Sequence, residues 1–269
     1  MNRTLPNLFI IGAMKSGTSS LHNYLALHPE ICMSTIKEPD FFMEEGTWHK
    51  GLEWYKSIFP GTAKILGESS TSYSKYPTYQ GVPEKMAQHA PDAKLIYILR
   101  DPIRRIVSQY MHMVVHHGEK RAFEEAVTAN GQNEYLINSR YYLQLERYLN
   151  CFSRDQMMVV EFEDFSRNTK SVMRQIFAFL GVDEKFESEA FSVKHHQSSK
   201  KRKQYWLKKQ VQNLRGSYRL EQWAPWLFGA KISKPALNDS IAAKLKSALQ
   251  EDIDKLRTFT GLTFEAWSL

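Results

Sequence analysis

The sequence predicts a single α/β domain built on a central, mainly parallel sheet flanked by helices. Runs rich in β-branched and aromatic residues alternate with longer segments of helical period. The segment "LFIIGAMKSGTSSLHNYL", residues 8–25, passes from an apolar strand through a glycine-bearing turn into an amphipathic helix. A second segment, "AKLIYILR", residues 93–100, is apolar on both faces up to its terminal arginine, the pattern of a central parallel strand.

Leu8 to Ile11 reads as a buried strand, and Leu21, Tyr24, Leu25 and Leu27 form one face of a helix stopped by Pro29. Ile31 to Met33 and Lys64 to Gly67 read as short strands. After the central strand, Asp101 is placed to cap a helix with Pro102 at its first position, running toward Met113. "RYYLQLERYLNCF" reads as a helix, "QMMVVEF" as a strand, and "SVMRQIFAFLGV" as a helix that Gly181 stops. Residues 239–259 form a last long amphipathic helix. Residues 195–237 are basic, aromatic and weakly periodic, and are expected to leave the core as a lid or loop.

With 269 residues and 42% hydrophobic content the chain sustains one sizeable core, so a single domain over 1–269 is expected. No run approaches the roughly 18 apolar residues of a membrane helix, and "LFIIGAM" lacks the small-residue cleavage site of a signal peptide. The expectation is a cytoplasmic protein without a membrane partner. Cys32 and Cys151 show no metal-ligand spacing and read as two free thiols. The formal charge of +7 favours an anionic partner, and its densest segment is "KHHQSSKKRKQYWLKK", residues 194–209.

The glycine-bearing turn invites comparison with the triphosphate motif GxxxxGK[ST], in which the lysine after the second glycine reaches the outer phosphates. Gly12 and Gly17 have that spacing, but Thr18 and Ser19 follow, and the lysine stands at position 15. What remains is a strand, a tight turn and a helix N-terminus. The amides and hydroxyls of Ser16 to Ser19 suit a phosphate there, with Lys15 at its outer end. A simple capped turn with a solvated Lys15 is the structural alternative. Arg100 supplies a second anchor, because ligands of open α/β sheets bind at the carboxyl ends of strands. Ser108, about two helical turns after Pro102, lies near the same edge.

With both anchors in view, the sequence resembles the sulfotransferases that use 3′-phosphoadenosine 5′-phosphosulfate (PAPS), the glycan and bacterial branch more than the steroid-type branch. "IIGAMKSGTSSLHNYLALHPEI" resembles that branch's 5′-phosphosulfate loop, and "KEPDFF", residues 37–42, its K-E-x-x-F-F segment. "LIYILRDPIRRIVSQY" resembles its 3′-phosphate segment, and "VVEFEDFSRNTKSVMRQIFAFLGV" its late strand and helix. The resemblance implies a P-loop-like fold and the PAPS cofactor, with 3′,5′-adenosine bisphosphate as product and no metal. It makes Lys15 the catalytic lysine, and Ser16, Gly17, Thr18 and Ser19 the 5′-phosphate cradle. Arg100 and Ser108 become 3′-phosphate ligands, Glu38 the general base, and Lys200, Lys201 and Arg202 part of the late cofactor loop. Two positions depart from the pattern. Lys201 replaces that loop's glycine, and Ser69 stands where the heparan-type enzymes often carry lysine.

Sulfuryl transfer is mostly positioning and charge stabilisation, and the acceptor's proton needs a base opposite the leaving group. Glu38 is the first choice, with a surface pair to Lys37 as its structural alternative. His112, one turn past Ser108, is the second candidate because imidazole titrates near neutrality. His116 and His117 lie close enough in sequence to raise a metal site with it, but no convincing ligand spacing accompanies them. Aromatics from Tyr205 to Phe228 roof the acceptor pocket or form local core. The functional expectation is sulfuryl transfer from PAPS to a hydroxyl or amine of a cytosolic small molecule or natural product. A small-molecule kinase and a basic nucleic-acid-binding module are the rival readings; the first lacks the GK[ST] lysine, and nucleic acid is not expected as a partner.

Overall fold

The computed structural model describes residues 5–129, 133–192 and 235–269. Five parallel strands, β1 (Leu8–Gly12), β2 (Ile31–Met33), β3 (Ile65–Ser69), β4 (Lys94–Leu99) and β5 (Met157–Glu161), form one sheet in the order β2-β3-β1-β4-β5. Helices α1 (Thr18–Leu25), α2 (Gly51–Ser57), α3 (Val82–His89), α4 (Pro102–His116) and α5 (Phe123–Thr128) come first in the chain. They are followed by α6 (Glu134–Ile137), α7 (Tyr141–Leu149), α8 (Phe162–Arg167), α9 (Thr169–Leu180) and α10 (Asp239–Thr260).

The strands read as continuous apolar runs because both faces of the sheet are covered. On β1, Leu8 and Ile10 enter one core with Leu21 of α1 and Val172 and Ile176 of α9. Phe9 and Ile11, one residue out of phase, enter the other with Ile106 of α4, Leu145 of α7 and the α10 stripe Ile241, Leu245, Leu249 and Ile253. That stripe repeats every four residues, so one face of α10 packs inward while the other stays polar. β4 divides in the same way, Ile96 and Ile98 to the first core and Leu95, Tyr97 and Leu99 to the second.

Several boundaries depart from the sequence reading. β3 extends beyond Gly67 through Glu68 to Ser69, because both of those polar residues are fully buried and pair with Phe9 and Ile10 of β1. α4 continues past Met113 to His116. Leu27 does not join the apolar face of α1: the helix closes at Leu25 and the following turn carries Leu27 to 42% exposure. Gly181, with φ 73°, does stop α9.

β1 lies in the middle, and the chain steps across it between β3 and β4. Its carboxyl end is therefore the switch point where an open parallel sheet forms a crevice. β2 and β3 lie on one side of that seam, β4 and β5 on the other.

Candidate active site

The loop after β1 is held by backbone contacts. Ala13 donates to Ile98 of β4 at 2.7 Å and the Ser16 amide to Ala13 at 3.1 Å, so that amide is already committed to the turn. Lys15 has φ 72°, a left-handed backbone that is costly for a residue with a side chain and recurs at functional sites. Gly17, φ 94°, caps α1 without any side-chain bond; the Ser20 amide donates to the Gly17 carbonyl at 3.0 Å, so the amides of Thr18 and Ser19 are the ones a ligand would use. Two glycines are obligatory here. A Cβ on Gly12 would lie 2.0 Å from Ser74 Oγ, and one on Gly17 would lie 2.7 Å from the Phe162 ring. The buried hydroxyl of Ser16 has no hydrogen-bond partner among the described residues; Thr18 is buried and Ser19 half-buried.

Arg100 enters from the end of β4. Its Nη1 donates to the Lys15 carbonyl at 3.4 Å and its guanidinium lies 5.1 Å from the Phe162 ring centre. Burial pulls the guanidinium below its usual range, an effect Glu163 opposes. Nε of Arg100 is buried and unpartnered among the described residues. Behind it the strand end is fastened. Tyr141 donates to the Arg100 carbonyl at 2.7 Å, and Asp101 caps α4 by accepting from the Arg104 amide at 3.0 Å. The other Asp101 oxygen accepts from Ser268 N–H at 2.8 Å, while Glu163 accepts from Asp101 N–H at 3.3 Å and from Trp267 Nε1 at 3.1 Å.

On the opposite side of β1, Glu38 follows β2 and is tied to β3: its amide donates to the Ser69 carbonyl at 2.9 Å. Its carboxylate is exposed, pairs with Lys37 Nζ at 2.6 Å and accepts from Thr71 at 3.4 Å. The pair with Lys37, the structural alternative for Glu38, thus forms alongside a backbone anchor at the sheet edge. Like Lys15, Glu38 has positive φ, 58°, and so does Asp40, 50°.

Four further groups carry no sequence signal. His22 of α1 is buried with Nδ1 2.7 Å from Ser69 Oγ. Burial, then the Lys37 charge, pull its pKa down to about 4 against a Ser34 backbone bond and Glu38, so the ring is neutral. Burial raises the Asp40 carboxyl, with Glu38 adding to the shift and Lys75 opposing it; burial also lowers the Lys75 ammonium, against Asp40 and Glu38. Glu68, fully buried, is pushed up to about 7 by burial. A histidine on a helix and a carboxylate at the end of a strand look ordinary in a sequence; only the fold brings them beside the site.

Ser108 and His112 stand half-buried along α4. The His112 ring centre is 4.6 Å from that of His116 and 5.3 Å from that of His117, a three-ring group toward the end of the helix. Among the described residues no set of three His, Cys, Asp or Glu side chains is arranged to hold a metal ion. Lys200, Lys201, Arg202 and the aromatics from Tyr205 to Phe228 lie outside the described residues.

Arg100 meets the Lys15 loop at the switch point of the sheet, where open parallel sheets bind ligands, and comparison with known proteins shows the family. The family described as sulfotransferase domain matches residues 5–263. The chain belongs to the sulfotransferase family. This sulfotransferase is 31% identical over 199 residues to mouse bifunctional heparan sulfate N-deacetylase/N-sulfotransferase 4, covering 66% of this chain and 22% of the relative. Human bifunctional heparan sulfate N-deacetylase/N-sulfotransferase 2 is likewise 31% identical, over 200 residues, with the same coverage. The chain thus spans about 22% of the length of these curated relatives. Among solved structures, a sulfotransferase from Alicyclobacillus acidocaldarius superposes with TM-score 0.74 at 27% identity, covering 98% of this chain and 99% of that one. Members of the family are enzymes, and the P-loop-like α/β fold is theirs. No helix among the described residues is long and apolar enough to cross a membrane.

Proposed function

We propose that the chain, acting as one domain, transfers a sulfuryl group from PAPS to a hydroxyl or amine of a small acceptor. The observation that carries this is the reach of Arg100 to the Lys15 carbonyl, which unites the two segments read as 5′- and 3′-phosphate sites. The residues fit such a nucleotide: a helix N-terminus without a side-chain cap, and buried polar atoms of Ser16 and Arg100 that lack partners among the described residues. PAPS, when bound, supplies the activated sulfuryl group and a 5′-phosphate that leaves.

In this reading the loop from Ser16 to Ser19 holds the 5′-phosphate, with Gly17 allowing close approach. Lys15 stabilises the charge that builds on the leaving oxygen, a contribution of roughly 3–4 kcal/mol for a preorganised donor. Arg100, with Ser108, binds the 3′-phosphate, and Lys200, Lys201 and Arg202 complete the cofactor site. Glu38 takes the acceptor's proton from the other side of the seam, and His112 is the alternative base.

Ser69 in place of the heparan-type lysine favours a small molecule or natural product over a highly sulfated glycan. The free thiols of Cys32 and Cys151 fit a reducing cytoplasm. The relatives named for heparan sulfate N-sulfation favour a second acceptor class, an amine on a polysaccharide. An acceptor screen containing both classes separates them.

The deciding experiment is calorimetric titration of 3′,5′-adenosine bisphosphate, with ATP and 5′-AMP as controls, on wild type and Arg100→Ala. Binding that requires both the 3′-phosphate and Arg100 supports the reading. Tighter binding of ATP overturns it.

A further inference from the structure

We propose that Glu68 is a positioning residue that holds the Glu38 loop in its working shape through two hydroxyl relays. The proposal rests on the reading of Glu38 as the base. Glu68, next to the last residue of β3, is fully buried and accepts three hydrogen bonds. Tyr55 and Tyr73 both donate to Oε1 at 2.7 Å, and Ser70 donates to Oε2 at 2.7 Å.

A hydroxyl has one proton. Having given it to Glu68, Ser70 Oγ and the Tyr73 hydroxyl present only lone pairs to the other side. Each meets a backbone N–H of the Glu38 loop: Ser70 Oγ accepts from Asp40 at 3.1 Å and the Tyr73 hydroxyl from Phe42 at 3.3 Å. The Glu38 amide itself donates to Ser69, the neighbour of Glu68. Residues 38, 40 and 42 are therefore fastened in alternation to the end of β3 and the turn that follows, and the acceptor carboxylate at the centre sets the polarity of two of the three ties.

The loop has need of such fastening. Glu38 and Asp40 both hold positive φ, which persists only where surroundings over-determine it. The carboxylate of Glu38 is exposed and, among the described residues, is held only by its sequence neighbour Lys37 and by a long 3.4 Å bond from buried Thr71, so the aim of the base depends on its backbone. Among the described residues, the hydrogen bonds to Glu68 come from Tyr55, Tyr73 and Ser70 and not from the Lys15 loop or Arg100, so its influence runs to the Glu38 side.

The test uses the full chain and compares Glu68→Gln, Ser70→Ala, Tyr73→Phe, Glu38→Gln and the Glu38→Gln/Glu68→Gln double variant. Turnover, acceptor KM, affinity for 3′,5′-adenosine bisphosphate and hydrogen exchange over residues 38–42 are measured. Glu68→Gln keeps the shape but replaces one acceptor oxygen by a donor. It is expected to lower kcat about 10- to 100-fold, the scale of a misplaced catalytic group, with bisphosphate affinity within about twofold. Exchange should accelerate at Asp40 and Phe42 in Glu68→Gln, at Asp40 alone in Ser70→Ala and at Phe42 alone in Tyr73→Phe. The double variant should be no slower than Glu38→Gln, since both losses act through one group. Full turnover in Glu68→Gln, or unchanged exchange in all three relay variants, overturns the proposal. If Glu38→Gln keeps full rate while Glu68→Gln is slow with a loosened loop, the base assignment fails and the positioning role stands for another group of that loop. Ser70→Ala and Tyr73→Phe leave the buried carboxylate in place and keep the test open if Glu68→Gln does not fold.

Discussion

Nη1 of Arg100 donates to the carbonyl of Lys15 at 3.4 Å, joining the end of β4 to the loop after β1. The two side chains are assigned opposite duties, and substitution should separate them. Arg100→Ala is expected to weaken 3′,5′-adenosine bisphosphate by about 10- to 100-fold, the scale of a lost charge-assisted contact, as read by calorimetry. Lys15→Ala should keep most of that affinity while kcat falls about 100- to 1,000-fold. Near-normal turnover in Lys15→Ala would remove the lysine from the mechanism.

Gly17 offers a sharper steric test. An added Cβ would meet the Phe162 ring at 2.7 Å from a backbone of φ 94°. Gly17→Ala should therefore displace Phe162 and the guanidinium beside it, and bisphosphate affinity should drop even though no charge is altered. Phe162→Leu in the same chain should recover part of the loss by making room. An alanine variant that binds like wild type would show that the loop yields without cost.

Glu38→Gln should lower turnover with a working acceptor and leave bisphosphate affinity unchanged, because its hydrogen-bond partners among the described residues, Lys37, Thr71 and Ser69, lie on the β2-β3 side of the seam. A full-rate variant transfers the role to His112 or another group, which His112→Gln then tests by steady-state kinetics.

His22 and Glu68 make opposed contributions to stability against pH. The His22 pKa falls from 6.5 in the unfolded chain to about 4 on folding. The unfolded state therefore binds more protons between those values, and stability is lost as pH falls through that window. The Glu68 pKa rises from 4.5 to about 7, so the folded state binds more protons and stability is lost as pH rises from 4.5 toward 7. Each effect is on the order of 3 kcal/mol and the two offset one another where the windows overlap. Denaturant melts of His22→Asn should show a chain more stable at pH 5 than at pH 7.5. Glu68→Gln should show the reverse slope between pH 4.5 and 6.5. Parallel curves for all three proteins would contradict the opposition.

The strand-turn-helix half of the candidate site was legible in the sequence because its signals are local. A short apolar strand, a glycine turn and a helix start lie within residues 8–25, and Arg100 directly follows a strand apolar on both faces. The Glu38 flank was only half legible. "KEPDFF" pointed to Glu38, but the segment around Glu68 was read only for Ser69 beside it, and "ILGESS" does not itself show a buried carboxylate. Its meaning depends on Tyr55 and Tyr73, brought in from another helix and another turn. His22 was silent for the same reason, its partner Ser69 being 47 residues away. Leu27 misled because apolar spacing continues two residues beyond Leu25, the last residue of α1, into the turn that follows.

The place of β1 between two pairs of strands has a consequence for the family's capacity to diversify. Arg100, the proposed 3′-phosphate ligand, follows β4, whereas Glu38 follows β2 and the Glu68 relays stand on β3 and the turn after it, with β1 between the two flanks. On the proposed reading, one flank can therefore be rewritten while the other is kept: exchanging residues 34–80 for those of a relative would graft a new customer onto an unchanged fuel line.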